Sequence, residues 1–363
     1  MSGLSVLCGG FIGGLFAAAV TAWIIVIRML RRWPRPTRAL ALPMAILLTV
    51  AASADVVNAY FSYLPRLGDV MGAATAGGSD PRLKTADLRS SVSSAVLRSH
   101  PDGAILALPV PDRGSGFGRT TALVYLPPQY FDQPQWRFPV LYLIHGSPGI
   151  PADWLRGGQA ADAGARVAAA GHPVIIVMPR MSHGWLDDPE CVDGVSERVE
   201  THLVIDIIPA VESTLRVESG WASRGIAGMS AGGYCALNLG LRHRSMFGTI
   251  IDMSGLTRPT HADGLRPLFG AGPAAQAAAA ANSPDLYVGG FGPGPRPRIW
   301  LDVGRRDHDV AVAIRHIRDL LSTDGYPVQL HVRPGIHTFT VWRPALRDAL
   351  AWFAGSTTSV STI

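Results

Sequence analysis

Lysine is almost missing from this chain: Lys84 is the single lysine among 363 residues, and the other 31 basic side chains are arginines. Cysteine is scarce as well. Cys8, Cys191 and Cys235 are too few for a disulfide scaffold, and no Cys or His spacing suggests zinc or another metal. A Cys191–Cys235 bridge suits an exported domain, and the sequence leaves it open. No cofactor motif appears. A basic stripe with interleaved aromatics is also lacking, which excludes nucleic acid as a partner despite a net charge of +5. That excess is local. Arg28, Arg31, Arg32, Arg35 and Arg38 fall in one short segment, and the remaining 27 basic residues balance 27 acidic ones.

The arginine segment separates two apolar runs. Leu4 to Ile27 holds no charge and is long enough to cross a bilayer core at about 1.5 Å per residue. Met1 to Ser5 carries no basic residue, so the pattern is not that of a cleaved signal peptide. Ala39 to Leu64 forms the second run, uncharged until Asp55. With the arginine loop held inside, both chain ends lie outside. These features predict a two-helix transmembrane anchor over 1–64, with membrane lipid as a partner. They predict a multi-pass location in the cell membrane and an extracytoplasmic domain. Residues 65–92, rich in Gly, Ala, Asp and Ser, read as a linker, 93–355 as one α/β domain and 356–363 as a polar tail.

Within the domain, Gly103–Pro111 and Thr120–Pro127 predict a hairpin across Asp112-Arg113-Gly114-Ser115-Gly116. Thereafter apolar strands alternate with helices: strands at Val140–Ile144, Val174–Met178, Gly225–Gly228, Gly248–Met253, Ile299–Val303 and Val328–Val332. Helices are expected at Gln159–Ala170, Glu197–Leu215, Ala231–Leu241, Val310–Leu321 and Val341–Phe353. The alternation predicts a mostly parallel sheet covered by helices on both sides. Phe269–Arg298 is an insertion without a readable period.

Gly228-Met229-Ser230-Ala231-Gly232 lies where a strand should turn sharply into a helix. Such a turn strains the serine backbone and leaves no room for bulk two residues to either side, which glycine at both flanks satisfies. A serine hydroxyl then needs a base. His337, just past the last strand, is placed for that role. His308 sits in the loop expected to supply the acid, His331 lies inside a strand and His261 in a segment without clear order. Among the acids, Asp302 should point from its strand at a helix layer. Asp307 suits the orienting role, with Asp309 held open and otherwise expected to cap the helix at Val310. An oxyanion hole needs two backbone amides, expected from Ala231 and from Ser147 in the loop His145-Gly146-Ser147-Pro148-Gly149. Trp154, Trp185 and Met229, with the loop Asp187–Cys191, are candidates for the substrate pocket.

With these motifs the chain resembles the putative-esterase family of α/β-hydrolases, which includes esterase D-like carboxylesterases, feruloyl esterases and the antigen 85 mycolyltransferases. The likeness rests on Val140-Leu-Tyr-Leu-Ile-His-Gly, Gly228-Met-Ser-Ala-Gly-Gly, Gly304-Arg-Arg-Asp307 and Pro334-Gly-Ile-His337 with Trp342 following. It implies an α/β-hydrolase fold over roughly residues 103–354, a Ser230–Asp307–His337 triad and an oxyanion hole from Ser147 and Ala231. The two-helix segment resembles the anchor of actinobacterial exported members. The expected activity is hydrolysis of a small-molecule or lipid ester through an acyl-enzyme. Acyl transfer by the same intermediate is the alternative, although no residues of a trehalose site are recognisable. A non-catalytic hydrolase-like module would require a broken triad.

Overall fold

The computed structural model of the chain describes residues 9–32, 35–61, 83–84, 101–261 and 263–356. Two compact units emerge: residues 1–80 with Thr338–Thr340, and 81–337 with 341–363.

In the first unit, helices α1 (Gly9–Arg32) and α2 (Arg35–Phe61) pack on each other, with Trp23 Nε1 donating to Thr49 Oγ1 at 2.8 Å. Among the described residues, no helix is long and apolar enough to cross a membrane. The predicted spans are thus not recovered as such. The start of the first run and the end of the second lie outside the described residues, arginines close α1 and open α2, and the continuous α2 carries Pro43 and the charged Asp55. What is described of both helices turns Ile24, Ile25, Leu47 and Val50 outward. Most of the predicted linker also lies outside the described residues. Leu83–Lys84, within it, is a two-residue strand, β1.

The second unit is built on one nine-stranded sheet. β1 pairs in parallel with β2 (Ala104–Val110), which forms the expected antiparallel hairpin with β3 (Thr120–Leu126). β4 (Val140–Ile144) is followed by helix α3 (Ala160–Ala169) and β5 (Ile175–Met178). Later come α4 (Ile208–Thr214), β6 (Arg224–Met229), α5 (Ala231–Arg242) and β7 (Thr249–Met253). The chain then runs through α6 (Pro273–Ala281), β8 (Arg298–Gly304), α7 (His308–Thr323), β9 (Val328–Arg333) and α8 (Phe339–Ser356). The strand order is β1-β2-β3-β5-β4-β6-β7-β8-β9, with β5, β4, β6, β7, β8 and β9 all parallel. Every residue of β4 is fully buried, which is why its sequence is a continuous apolar run rather than an alternation. Each such Leu or Ile contributes roughly 1.5–3 kcal/mol by leaving water.

The helix expected over Glu197–Leu215 departs from its reading. The segment from Val199 to Thr214 contains a π-helical stretch, His202–Ile207. The wider turn rotates polar side chains inward: His202 and Asp206 are fully buried, whereas Ile205 is only half-buried. Asp206 is satisfied there by His202 Nδ1 at 2.7 Å, the Arg113 amide at 2.7 Å and the Ser115 hydroxyl. It thereby fastens the hairpin loop. The unread insertion contains α6 and two shorter helical pieces, Pro284–Tyr287 and Val288–Gly290. Alanine occupies nearly every position of α6, so no apolar face stands out from a polar one.

Candidate active site

The end of β6 and the start of α5 enclose Ser230, whose backbone sits at φ 56°, ψ −126°. A left-handed φ at a non-glycine residue is uncommon and is held by its surroundings. Here the Ser230 amide donates to Met253 O at 3.0 Å, and the Gly233 and Tyr234 amides donate to Ser230 O. The flanking glycines are steric necessities. A Cβ on Gly228 would lie 1.9 Å from Gly232 O, and one on Gly232 would lie 2.4 Å from the carbonyl oxygens of both Ile144 and His145. Because these obstacles are backbone, Gly232→Ala is expected to cost about 3 kcal/mol or more. A thermal melt of the variant checks this, and an unchanged melting temperature would contradict it.

His337 follows β9, and its ring meets Ser230 and Asp307 together. His337 Nε2 is 2.8 Å from Ser230 Oγ, and His337 Nδ1 is 2.6 Å from Asp307 Oδ2. The carboxylate can only accept from Nδ1–H, which leaves Nε2 free to accept the serine O–H. Two backbone contacts seat the aspartate loop on the segment that leads to His337: the Arg306 amide donates to Gly335 O at 2.9 Å and the Arg305 amide to Arg333 O at 2.7 Å, while Asp307 N closes its own loop on Gly304 O at 3.1 Å. Trp342 meets the imidazole edge-on, with ring centroids 4.9 Å apart.

The other candidates fall elsewhere. Asp307, not Asp309, occupies the N-cap position of α7, which begins at His308, two residues before the expected start. Asp309 lies in the first turn and lines the cavity without touching the imidazole. Asp302 is fully buried and, as expected, points at a helix, where Arg333 Nε reaches it at 2.7 Å and links it to Asp348 on α8. His331 stacks on Trp300 at 3.6 Å between centroids, and His308 opens α7.

Ser147 and Ala231 line the same cavity, of about 360 Å³, as Ser230 and His337. Among the described residues, neither backbone amide has a protein acceptor. The loop carrying Ser147 is pressed against the Ser230 turn, since a Cβ on Gly146 would lie 3.3 Å from Ser230 Cβ. Its shape is held by His145, whose Nδ1 lies 2.9 Å from Gly146 O and whose Nε2 accepts from the Met181 amide at 3.3 Å. Burial pushes the His145 imidazole down to about 4, so it stays a neutral bridge at any working pH.

Of the pocket candidates, Trp154 and Met229 are corrected. Trp154 is wholly buried with Nε1 donating to Ile144 O at 2.9 Å, and Met229 is 3% exposed; neither lines the cavity at Ser230 or the one that shares Ser147 and Asp188 with it. Trp185 is exposed and braces the loop that carries Ser147 through its carbonyl, which accepts from Gly149 N at 2.9 Å. The loop that follows does line space: Asp188 borders both the cavity at Ser230 and an adjoining one of about 520 Å³ that also takes in His261. The residues that sequence reasoning missed are Tyr234, Thr260 and Ser254, whose positions carry no motif, and Glu190, which was named only as part of a loop.

The cysteine question is resolved by a Cys191–Cys235 disulfide, with Cα atoms 5.5 Å apart, joining this loop to α5. It closes a span of 44 residues in sequence. Its removal by Cys191→Ser plus Cys235→Ser is expected to destabilise the domain by about 3 kcal/mol, read by denaturant unfolding. Equal stability of the two forms would contradict the expectation.

A serine held at a strained strand-to-helix turn, with an imidazole in reach on a mostly parallel sheet, defines an α/β-hydrolase of the serine hydrolase class. The family model described as "Putative esterase" matches residues 117–353, and the chain belongs to that family; it is an esterase. An uncharacterised protein of Corynebacterium glutamicum is 26% identical over 94% of this chain and 88% of its own length. An esterase of Mycobacterium tuberculosis is 28% identical over 56% of this chain, which spans about half (49%) of that relative. Among solved structures, a ferulic acid esterase is 25% identical, with a TM-score of 0.57 over 66% of this chain and 92% of the other.

Proposed function

We propose that the chain hydrolyses carboxylic esters by way of an acyl-enzyme on Ser230, with His337 as general base and acid and Asp307 as the residue that orients it. The observation that carries this reading is the pair of short contacts made by one imidazole, 2.8 Å to the serine oxygen and 2.6 Å to the carboxylate. In the first step Ser230 Oγ bonds to the ester carbonyl carbon while its proton passes to His337 Nε2. Amides of Ala231 and Ser147 receive the oxyanion, and the imidazolium returns the proton to the departing alcohol. Water activated by the same imidazole then releases the acid. Mixing the purified protein with p-nitrophenyl butyrate should give a burst of one nitrophenolate per chain. Absence of turnover on this and other short esters would overturn the proposal. Repeating the assay with trehalose separates hydrolysis from transfer, because an acylated sugar product would replace the free acid.

The proposal extends to place and substrate: an ester of a lipid or glycolipid, met at the outer face of a membrane to which residues 1–64 attach the domain. Support comes from the uncharged run Leu4–Ile27, the arginines that follow it, and the outward apolar side chains of α1 and α2. Against it stands the lack, among the described residues, of a helix long and apolar enough to span a bilayer. Alkaline carbonate extraction decides the point: the full chain should stay with the membrane pellet, and release into the supernatant would remove this part of the reading.

A further inference from the structure

Beyond the residues given roles above, the cavity beside Ser230 contains two more carboxyls, Asp188 and Glu190. Glu190 is 3% exposed, and its Oε1 accepts from the Thr260 amide at 2.9 Å and the Thr260 hydroxyl at 2.8 Å. Among the described residues no donor reaches its Oε2, and Oδ1 of Asp188 is buried without a partner. An acid desolvated to this degree and left half-paired costs stability unless something else satisfies it. The fold nevertheless holds it there. Glu190 and Cys191 both have left-handed φ values, 50° and 51°, and Cys191 is bridged to Cys235, one turn along α5 from Ser230.

The charge around this group is one-sided. Asp188, Glu190, Asp307 and Asp309 all line the cavity, no Lys or Arg does, and His337, the basic side chain in the lining, is held by Asp307. Burial, and after it the charge of Asp188, push the Glu190 carboxyl up to about 8 against the two Thr260 bonds. Near neutrality Glu190 is therefore largely protonated; a cation arriving at Oε2 would favour the carboxylate, displace that proton as the donor and offset the repulsion from Asp188. A neutral hydroxyl would supply only the donor. An anionic headgroup would be repelled.

We infer that the ester this enzyme accepts carries an ammonium group, in its acyl or its alcohol part, which binds against Glu190 with Asp188 adding to the attraction. The inference rests on the reading of Ser230 as nucleophile and narrows its substrate class. Two isosteric ester pairs test it on the full chain at pH 7.5: methyl 6-aminohexanoate against methyl heptanoate for the acyl side, and acetylcholine against 3,3-dimethylbutyl acetate for the alcohol side. In at least one pair the cationic ester should have the higher kcat/KM by about tenfold or more, as for a charge-assisted hydrogen bond in a shielded site. Glu190→Gln keeps the side-chain volume and an oxygen for Thr260. It should shrink that cation-to-neutral ratio about tenfold, chiefly through KM.

Equal use of both members of both pairs, or a ratio indifferent to Glu190→Gln, would overturn the inference. So would faster cleavage of 6-O-acetylglucose than of either cationic ester, which would assign the cavity to a polyol. Failure of the nucleophile reading looks different, because neither neutral nor cationic esters then turn over. In that event calorimetric binding of 6-aminohexanoate methyl ester to the Ser230→Ala chain, with and without Glu190→Gln, still decides the matter. Binding that weakens about tenfold with Gln supports the ammonium site, and unchanged or absent binding removes it.

Discussion

Ser230→Ala is expected to lower kcat for a short neutral ester by about 10⁵-fold or more, to little above the rate left by binding and the oxyanion hole. The size follows from the geometry. Alanine removes the oxygen that lies 2.8 Å from His337 Nε2, so no covalent intermediate can form there and the imidazole loses the proton it would take. His337→Ala should cost about as much, because a serine hydroxyl without its base is a weak nucleophile. The double variant should be hardly worse than either single one, since the two residues act as a unit. Additive losses would mean that they work in separate steps. Steady-state kinetics on the three variants distinguishes these outcomes, with thermal melts to show that the fold persists.

Asp307→Asn is expected to lower kcat by about 10⁴-fold while leaving KM within a few-fold. The carboxylate at 2.6 Å can only accept, which fixes the proton on His337 Nδ1 and the lone pair on Nε2, facing Ser230. An amide at the same place can turn its NH₂ toward the ring, which puts the proton on Nε2 and leaves the serine without a base. It also no longer stabilises the imidazolium charge. Asp309→Asn, two residues on, should fall by less than about tenfold, because Asp309 makes no contact with the imidazole. If the two substitutions had reversed effects, Asp309 would be the orienting acid and the loop would have to rearrange in the working enzyme.

Much of this site could be read from the chain because its constraints are local. The two glycines around Ser230 are demanded by backbone atoms within five residues of one another or on the adjoining strand, so they leave a motif. Asp307 could be placed because it follows the apolar Ile299-Trp300-Leu301 of β8, and His337 because it follows the alternating Val328, Leu330 and Val332 of β9. What escaped reading depends on distance. The Cys191–Cys235 pairing could be named but not decided from the sequence, because it exists only when the fold brings α5 and the loop of Cys191 together. Glu190 carried no signal of its own, since the donor that holds its carboxyl is Thr260, seventy positions later. Trp154 shows the opposite error: an aromatic near a catalytic loop suggests a pocket wall, yet a one-turn helix, Ala152–Arg156, points the indole at the carbonyl of Ile144. Asp206 and His202 were hidden by an assumed regular helix, and the π-helical turn moved them from the surface to the core.

Everything about activity depends on whether the hydroxyl of residue 230 is the group that reacts. A fluorophosphonate probe reports this directly, because it phosphonylates an activated serine and leaves an adduct that peptide mass spectrometry can locate. The expected result is a single adduct on the peptide containing Ser230, lost in Ser230→Ala and strongly slowed in His337→Ala. Labelling of the Ser230→Ala chain at the wild-type rate, or an adduct located on another serine, would contradict it.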